Sequence, residues 1–345
     1  MNIMNKIINY DKLRNGTKIK KAILKNGNYK IECISLGATL TSFQIISENK
    51  DIVLSFNSSQ QYIDDPTHFG MTIGRYANRI YKGRFELDGK VFEIEKNNNG
   101  NSLHSGKACL CWKNWETSLF YHDGNPVVQF QTISKEGEDN WPGTLTVTSS
   151  YELTNKGEVI LTHIANTTSS TFVNITNHSY FNLSGDCTTD ILANALECHA
   201  NKYLEIDNKM IPTGRLLDTE DTPFDFNTSH NIGERIRQIN GYDHCLVFTD
   251  YDKSLKHQAT LISEKDNLQL KVYTSLPAMQ VYTSNNLKKT TINKCGNHCI
   301  PFGAICLETQ YYPDSPNHNN FPSTRLDPNN QYFERTIYQL QKIHK

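Results

Sequence analysis

The sequence has no apolar run long enough to cross a membrane, and it has almost no net charge. No stretch of 18 consecutive apolar residues occurs among its 345 residues, so neither a membrane span nor a membrane partner is expected. The 35 basic residues are balanced by 36 acidic ones, which gives a formal net charge of -1. Because a nucleic acid usually binds a surplus of positive charge, this balance argues against a nucleic-acid partner.

The sequence also lacks the short motifs that mark several large enzyme classes. It contains no GxGxxG, no GxxxxGK[ST], no GxSxG and no HExxH. The first two motifs hold nucleotide phosphates, the third places the serine of an α/β-hydrolase, and the fourth binds the zinc of a protease. The sequence therefore gives no support for a nucleotide cofactor, for α/β-hydrolase chemistry or for a zinc protease.

Paired cysteines and a secretion signal are absent as well. Residues 1–10, MNIMNKIINY, lack the continuous apolar core and the cleavage site of a signal peptide, so a cytoplasmic location is expected. The nine cysteines are scattered apart from Cys109-x-Cys111 and Cys295-x3-Cys299, and without a CxxC pair they are predicted to be free thiols in a reducing compartment. The alternative is a zinc site formed by Cys295, His298 and Cys299, although no second ligand pair stands at the usual spacing.

Helical periodicity is scarce, whereas alternation of apolar and polar residues is common. The alternating segments are 83–95, which has the turn dipeptide Asp88-Gly89 at its centre, 145–153 and 268–273. Further strands are predicted at 159–164, which is apolar, and at 280–283. Short helices are predicted only at 59–63 and 232–239. Many strands with frequent turn signals favour a sandwich or barrel. Because no linker or repeat divides the chain, residues 1–345 are predicted to form one all-β domain.

A few polar side chains stand in strand-like or apolar surroundings. They are Asn78, Arg79, His104, His178, Asp243 and Glu308. Glu308 directly follows four apolar or soft residues, and a carboxylate leaving a buried strand is costly unless it is paired, so a functional role is expected for it. Each of the others has an ordinary structural explanation, and spacing does not show that they converge. Together they suit a polyhydroxylated ligand, and a Glu with a His can perform acid–base catalysis.

Seven segments that include these residues resemble the aldose 1-epimerases, also called galactose mutarotases, in the family's order. They are GRYANRI (74–80), NSLHSG (101–106), NITNHSYFNLSG (174–185), IPTGRLLDTEDTPFDF (211–226), GYDHCLVF (241–248), PAMQVYTSNNL (277–287) and ETQYYPDSPNHNNFPSTRL (308–326). With GATLTSF (37–43) and the strand after residue 331, the resemblance spans about residues 37–340.

The resemblance implies a large antiparallel β-sandwich, the galactose mutarotase-like supersandwich. It implies interconversion of the α and β anomers of a free aldose, galactose or glucose, without a cofactor or a metal. The sugar is then the partner, and the chain is a monomer or a homodimer. Glu308 matches the family's general base and His178 its general acid. The sugar-contacting positions match Asn78, Arg79, His104, Asp243 and Gln280.

Physical chemistry agrees with these roles. Ring opening requires that the C1 hydroxyl lose a proton and that the ring oxygen gain one. Glu308 as carboxylate takes the first proton, and His178 as imidazolium gives the second. Rotation about C1–C2 and reversed transfers then yield the other anomer. The mutual attraction of Glu308 and His178 is expected to favour these opposite charge states.

Two alternatives remain open at this point. One is a non-catalytic sugar-binding domain of the same fold. The other is a hexose-6-phosphate 1-epimerase, which needs a basic cluster for the phosphate, and Arg75, Arg79 and Arg84 are the candidates.

The chain departs from the family pattern at five positions. They are Ser102, Ser105, Trp141, Arg215 and Ala278. None coincides with the expected acid or base. Where Ser or Ala replaces a usual Gly, the loop shape is expected to change, which puts the sugar preference in doubt more than the reaction.

Overall fold

The computed structural model describes residues 5–343, most of which lie in strands or in the turns between them. Part of the signal-peptide expectation rests on residues 1–4, which lie outside the described residues. The first half of the chain contains β1 (Lys6–Lys12), β2 (Lys18–Asn26), β3 (Tyr29–Ile34), β4 (Thr39–Ile45), β5 (Lys50–Asp51), α1 (Ser59–Asp64), β6 (Thr72–Ile73), β7 (Arg79–Ile80), β8 (Arg84–Leu87), β9 (Lys90–Glu93), β10 (Ser102–Leu103), β11 (Glu116–His122), β12 (Asn125–Ser134), β13 (Leu145–Leu153) and β14 (Glu158–Thr167). The second half contains β15 (Thr171–Phe172), β16 (Thr176–Asn177), β17 (Tyr180–Phe181), β18 (Ala195–Cys198), β19 (Lys202–Ile206), β20 (Pro212–Asp218), β21 (His230–Asn231), α2 (Ile232–Arg235), β22 (Asp243–Val247), β23 (Lys256–Ser263), β24 (Leu268–Thr274), β25 (Ala278–Tyr282), β26 (Ile305–Gln310), β27 (Arg325–Leu326) and β28 (Tyr332–Lys342).

Three sheets account for most of these strands. The largest has nine strands in the order β11-β12-β13-β14-β28-β24-β23-β18-β21, the second has six in the order β17-β26-β25-β22-β19-β20, and the third is β1 to β5. Neighbouring strands pair antiparallel, for example β25 with β26 and β14 with β28. The all-β sandwich expected from the alternation and from the family resemblance is confirmed.

The local predictions hold where the sequence pattern was clear. The 83–95 segment is the hairpin β8–β9, in which Asp88 and Gly89 both have positive φ. The first predicted helix is α1, which begins with a capping box in which the Ser58 side chain accepts from the N–H of Gln61. The second is shorter than predicted. It is a single α-helical turn, α2, followed by a 3₁₀ turn at Ile236–Gln238.

The two large sheets pack face to face and share one core. On β26, Ile305 and Leu307 are buried in that core. The phenol of Tyr338 on β28 donates to the carbonyl oxygen of Leu307 at 3.0 Å, and the hydroxyls of Thr309 and Thr336 lie 2.6 Å apart. Because side chains alternate along a strand, Cys306 and Glu308 project from the opposite face of the six-stranded sheet. That opposite face forms the floor of the site.

One expectation about the cysteines is wrong. Cys109 and Cys111 form a disulfide, although the sequence predicted nine free thiols. Spacing alone did not reveal this pair because the turn that brings Cys109 and Cys111 together is set by the buried 3₁₀ segment at Leu110–Trp112.

The zinc alternative is wrong as well. Its three residues do not converge in the described chain: Cys299 contacts Cys187, with the sulfurs 3.0 Å apart, and Nδ1 of His298 bonds the carbonyl of Lys289 at 2.9 Å. Among residues 5–343, no helix has the length and apolar character that a membrane crossing requires.

Candidate active site

A cavity of about 380 Å³ opens over the outer face of the six-stranded sheet. Its volume lies in the range of small-molecule sites. The side chains that line it come from β7, β10, β17, β22, β25 and β26 and from nearby loops. They are Pro66, Thr67, His68, Asn78, Arg79, Asn97, Asn98, Leu103, His104, His178, Tyr180, Asp243, Tyr282, Asn286 and Glu308. The lining is dominated by groups that can hydrogen-bond hydroxyls, with two tyrosine rings among them.

His178 and Glu308 face each other inside this cavity. Nε2 of His178 lies 3.6 Å from Oε2 of Glu308, and both side chains are almost completely buried. The backbone at His178 is fixed at both ends, because its N–H donates to Met71 and its carbonyl accepts from Gly70, each at 2.9 Å. The ring also stacks on Tyr180, with centroids 5.2 Å apart. Oε2 of Glu308 has no hydrogen-bond partner within residues 5–343, so it is available to a ligand.

Burial changes the protonation preference of this pair. It raises the pKa of Glu308 well above its usual range, an effect that Asp243 strengthens and Arg79 opposes. It lowers the pKa of His178 to about 3, with a further contribution from His68. The expectation that attraction between the two groups favours carboxylate and imidazolium therefore needs correction, because burial favours the neutral forms. Whether the pair is neutral or is a carboxylate with an imidazolium, one proton is shared between Glu308 and His178 and can be exchanged.

His104 is held beside the pair by Asn78. The N–H of Asn78 donates to Nδ1 of His104 at 3.1 Å, and the N–H of His104 donates to the carbonyl of Asn78 at 2.9 Å. Both residues have positive φ, 62° and 54°, a conformation that Asn and His adopt more readily than β-branched residues. The ring of His104 lies 5.4 Å from that of His178, centroid to centroid.

Arg79, Asp243 and Gln280 form a polar group at the other side of Glu308. Nε2 of Gln280 donates to Oδ1 of Asp243 at 2.6 Å, while a guanidinium nitrogen of Arg79 lies 3.7 Å from Oδ2. Gln280 on β25 stands directly opposite Glu308 on β26 in the strand register. Arg79 also donates to the side-chain oxygens of Asn78 and Asn98 at 3.3 Å. Charged groups that are largely removed from water, such as those of Arg79 and Asp243, need hydrogen-bonding or oppositely charged partners of this kind.

The structure therefore brings the sequence-predicted site residues together. Six of the seven line the cavity, and Gln280 joins them through Asp243. The basic cluster proposed for a phosphate does not assemble. Arg75 is buried and donates to the carbonyls of Ser134, Lys135 and Pro142, and Arg84 lies exposed on β8. Of these three arginines, Arg79 alone lines the cavity.

Several lining residues received no role from the sequence. Tyr180, Tyr282 and Asn286 lie within segments that resemble the family, but strand alternation alone did not distinguish them from core residues. His68 gave no signal, being an isolated histidine before Phe69. In the structure its ring packs 5.3 Å from Trp112 and 5.5 Å from His104, and burial lowers its pKa to about 4.

The five departures fall outside the acid–base pair. Ser105 keeps a left-handed conformation, φ 61°, and its hydroxyl accepts from the N–H of Tyr76 at 2.9 Å, so the loop tolerates a side chain there. Ser102 and Ala278 are buried, and Trp141 fills a small core with Phe85. Arg215 pairs with Glu205 on the surface.

Among residues 5–343, one group of side chains could hold a metal ion. Ligand atoms of His178, Cys306 and Glu308 all lie within 4.8 Å of one another, and imidazole, thiolate and carboxylate are the ligand types that zinc accepts. A metal here would bind the imidazole and the carboxylate that face each other as acid and base.

A larger cavity lies elsewhere, beside the β8–β9 hairpin. It measures about 680 Å³ and its lining includes the carboxylates of Asp88, Glu93 and Glu136 but no histidine. Of these two cavities, the smaller one combines a carboxylate with an imidazole.

A sandwich in which a buried glutamate on a sheet face meets a buried histidine from an adjoining loop, beside groups able to bond hydroxyls, is typical of a carbohydrate-active acid–base site. Comparison with known proteins agrees. Residues 20–339 match the family model described as Aldose 1-epimerase, and the chain belongs to that family.

Named relatives cover nearly the whole chain. It is 34% identical over 330 residues to the galactose mutarotase of Rattus norvegicus, covering 94% of this chain and 95% of the relative. It is 32% identical over 326 residues to the aldose 1-epimerase of Escherichia coli, covering 91% and 93%. Among solved structures, an aldose epimerase homologue from C. elegans superposes with a TM-score of 0.86 at 28% identity, covering 93% of this chain and 98% of that one. A galactose 1-epimerase from Lactobacillus acidophilus, at 23% identity, shares the fold with a TM-score of 0.87 and 99% coverage of both chains.

Proposed function

We propose that this chain interconverts the α and β anomers of a free aldose, galactose or glucose, with Glu308 as general base and His178 as general acid. The observation that carries the proposal is the 3.6 Å approach of Nε2 of His178 to Oε2 of Glu308 inside a cavity of sugar-binding size. Galactose is the first candidate substrate, since the mammalian relatives are named galactose mutarotases.

The reaction needs two proton transfers at neighbouring sugar oxygens. Glu308 accepts the proton of the C1 hydroxyl, and His178 donates one to the ring oxygen, which opens the hemiacetal. After rotation about C1–C2, the same two groups return the protons and close the ring. Each transfer by a positioned side chain contributes about 10²- to 10⁴-fold.

The protonation states follow from the geometry of the pair. Burial penalises an isolated charge on either residue, but a carboxylate and an imidazolium in contact also attract each other strongly in a pocket of low dielectric. Sugar hydroxyls that donate to Oε2 of Glu308 add further stabilisation of the carboxylate. Binding of the sugar therefore moves the pair's single proton to His178, which prepares the acid and the base together.

The neighbouring groups fit the binding of the remaining hydroxyls. Neutral His104 offers an N–H donor, Arg79 offers a guanidinium, and Asp243 and Asn286 offer acceptors. A sugar hydroxyl both donates and accepts hydrogen bonds, and these groups supply acceptors and donors for it.

Polarimetry on freshly dissolved α-galactose and α-glucose tests the activity. The expected result is a first-order rate that rises in proportion to enzyme concentration above the spontaneous rate. Glucose 6-phosphate serves as the comparison, and a slower rate on it is expected because Arg79 alone of the three candidate arginines lines the cavity. If galactose binds in a calorimeter while the rate stays spontaneous for every aldose, the chain is a binding domain and the proposal is wrong.

Three further expectations remain proposals. A single domain is supported by the family match over residues 20–339 and by the core that both large sheets share. The cytoplasmic location and the choice between monomer and homodimer stay predictions from the sequence.

A further inference from the structure

A buried thiol lies against the ring nitrogen of His178 that faces away from Glu308. Sγ of Cys306 is 3.7 Å from Nδ1 of His178, within hydrogen-bond range for sulfur. Cys306 is completely buried on β26, two residues before Glu308, so both side chains project from the same face of the strand. One imidazole is thus flanked by two side chains of one strand, with the thiol at Nδ1 and the carboxylate at Nε2.

The position of this sulfur is fixed by its strand neighbours. Cys306 stands opposite Tyr180 on β17 and opposite Tyr282 on β25. The ring of Tyr180 also stacks on His178. Tyr180 is therefore paired with the strand position of Cys306 and also packs on the imidazole, which ties the two groups together.

The chemistry of a thiol suits this place. Burial raises the pKa of Cys306 well above its usual range, with further contributions from Glu308 and Asp243, so the group stays a neutral thiol. A neutral thiol accepts a hydrogen bond through sulfur and donates one through S–H. As an acceptor it can take a hydrogen bond from Nδ1–H, and being neutral it adds no charge beside Glu308.

We propose that Cys306 is a positioning residue of the reaction, whose sulfur accepts from Nδ1–H of His178 and so makes Nε2 the nitrogen that exchanges the catalytic proton. A neutral imidazole carries its proton on one nitrogen, and a hydrogen bond at the other nitrogen decides which one. With Nδ1 kept protonated, loss of a proton from the imidazolium occurs at Nε2, which faces Glu308.

The proposal rests on the acid role of His178, and it adds a cause for the ring's orientation. An imidazole can rotate by half a turn about its bond to Cβ, which exchanges the places of carbon and nitrogen atoms at the ring edge. A sulfur beside Nδ1 favours one of the two orientations. Without it, part of the population presents a ring carbon to the sugar and is inactive.

Two substitutions at Cys306 test the hydrogen bond, and serine is the one that keeps nearly the same shape. Cys306→Ser keeps a donor and acceptor, and Cys306→Ala removes it. The expected result is that Cys306→Ala lowers kcat on galactose about tenfold, with KM changed less than twofold. Cys306→Ser is expected to retain kcat within about threefold of the unchanged protein, because its hydroxyl keeps the hydrogen bond. The loss of one positioning hydrogen bond corresponds to about tenfold in rate.

A nuclear magnetic resonance experiment reads the tautomer directly. In the full-length protein labelled with ¹⁵N-histidine, the signals of His178 are assigned by their loss in His178→Gln. The neutral ring is expected to carry its proton on Nδ1 in the unchanged protein and to become a mixture of tautomers in Cys306→Ala.

Matched controls separate this role from loss of stability. Cys198→Ala removes a thiol that is equally buried on β18, outside the cavity, and should leave kcat unchanged. Equal kcat values for Cys306→Ser and Cys306→Ala, whether high or low, would overturn the proposal, as would an Nε2–H neutral tautomer in the unchanged protein.

The tautomer measurement also decides the matter if Cys306→Ala does not fold. If the unchanged protein shows no epimerase activity, the proposed function fails. The tautomer of His178 then still reports whether the sulfur orients the ring.

Discussion

The N–H of Asn78 donates to Nδ1 of His104 at 3.1 Å, and the N–H of His104 donates back to the carbonyl oxygen of Asn78 at 2.9 Å. Because Nδ1 accepts, the proton of the neutral ring must sit on Nε2. Burial lowers the pKa of His104 well below its usual range, and His178, His68 and Arg79 act in the same direction. The ring is therefore a fixed neutral donor to a ligand in the cavity.

Replacing this donor is expected to weaken catalysis on galactose. His104→Ala should lower kcat/KM about tenfold, since it removes a hydrogen bond to the sugar and leaves the N–H of Asn78 without its acceptor. His104→Gln, which keeps an N–H, should lose less. Steady-state polarimetry of both variants measures the effect, and a His104→Ala enzyme within twofold of the unchanged protein contradicts it.

Neutralising either member of the acid–base pair is expected to be far more costly. Glu308→Gln and His178→Asn should each lower kcat by about 10²- to 10⁴-fold while both proteins remain folded by circular dichroism. The double variant should be little slower than the slower single one, because the two groups act in one step. Near-normal rates in both folded single variants rule out the assigned roles.

The pH profile of kcat is expected to be a wide plateau. A second proton binds the pair only near the lowered pKa of His178, about 3, and the last proton leaves only at the raised pKa of Glu308. Activity above the spontaneous rate should therefore stay level from about pH 5 through neutrality and fall on the alkaline side. A sharp optimum with an acidic limb near pH 6.5, the ordinary pKa of histidine, disagrees with this burial.

Two charge-removing variants are expected to move the alkaline limb in opposite directions. Asp243 raises the pKa of Glu308 and Arg79 lowers it. Asp243→Asn should therefore shift the limb to lower pH, and Arg79→Gln should shift it to higher pH, when kcat is measured at saturating sugar. Asp218→Asn, at an exposed pair with Lys202, is the control and should leave the limb in place. Shifts of the same sign in both site variants count against the assignment of that limb to Glu308.

Stability is expected to fall with acidification because of a histidine outside the cavity. His163 on β14 is buried beside Ser149, and burial lowers its pKa to about 3. Below the unfolded value near 6.5 the unfolded chain binds the extra proton, so stability present above pH 6.5 is lost as the pH falls toward 3.

The variant His163→Gln removes the imidazole, so the unfolded chain no longer binds the extra proton at this position. Between pH 7 and pH 4.5 the unchanged protein should lose about 2–3 kcal/mol more of its unfolding free energy than the variant. Urea unfolding at the two pH values measures the difference, with activity at pH 7 as the check that the site is intact. Parallel losses in both proteins exclude a contribution from His163.

Local sequence signals predicted much of the sandwich. The Asp88-Gly89 turn, the alternation at 145–153 and the strand that ends near Glu308 each describe a structure formed by neighbouring residues, and each is present. The bond between Cys109 and Cys111 was not predicted, because it depends on a buried turn rather than on a spacing rule.

The candidate site was predicted as a set of residues but not as a geometry. The resemblance supplied His178, Glu308 and their companions, while His68 and Cys306 gave no signal. A histidine in a loop and a cysteine in an apolar strand look the same in a sequence whether or not they meet another imidazole. Their roles depend on contacts between residues far apart in the chain, such as Cys306 with His178.

By itself the sequence determined the strand periodicity, the family and the chemical types of the acid and base, because these are encoded by residue order over short distances. Only the tertiary structure decided the protonation preferences of His178 and Glu308, since burial and the charge of Asp243 set them. It also decided that Arg75 supports the backbone rather than a phosphate. Desolvation and long-range contacts exist only once the sheets have packed, and for that reason no local pattern contains them.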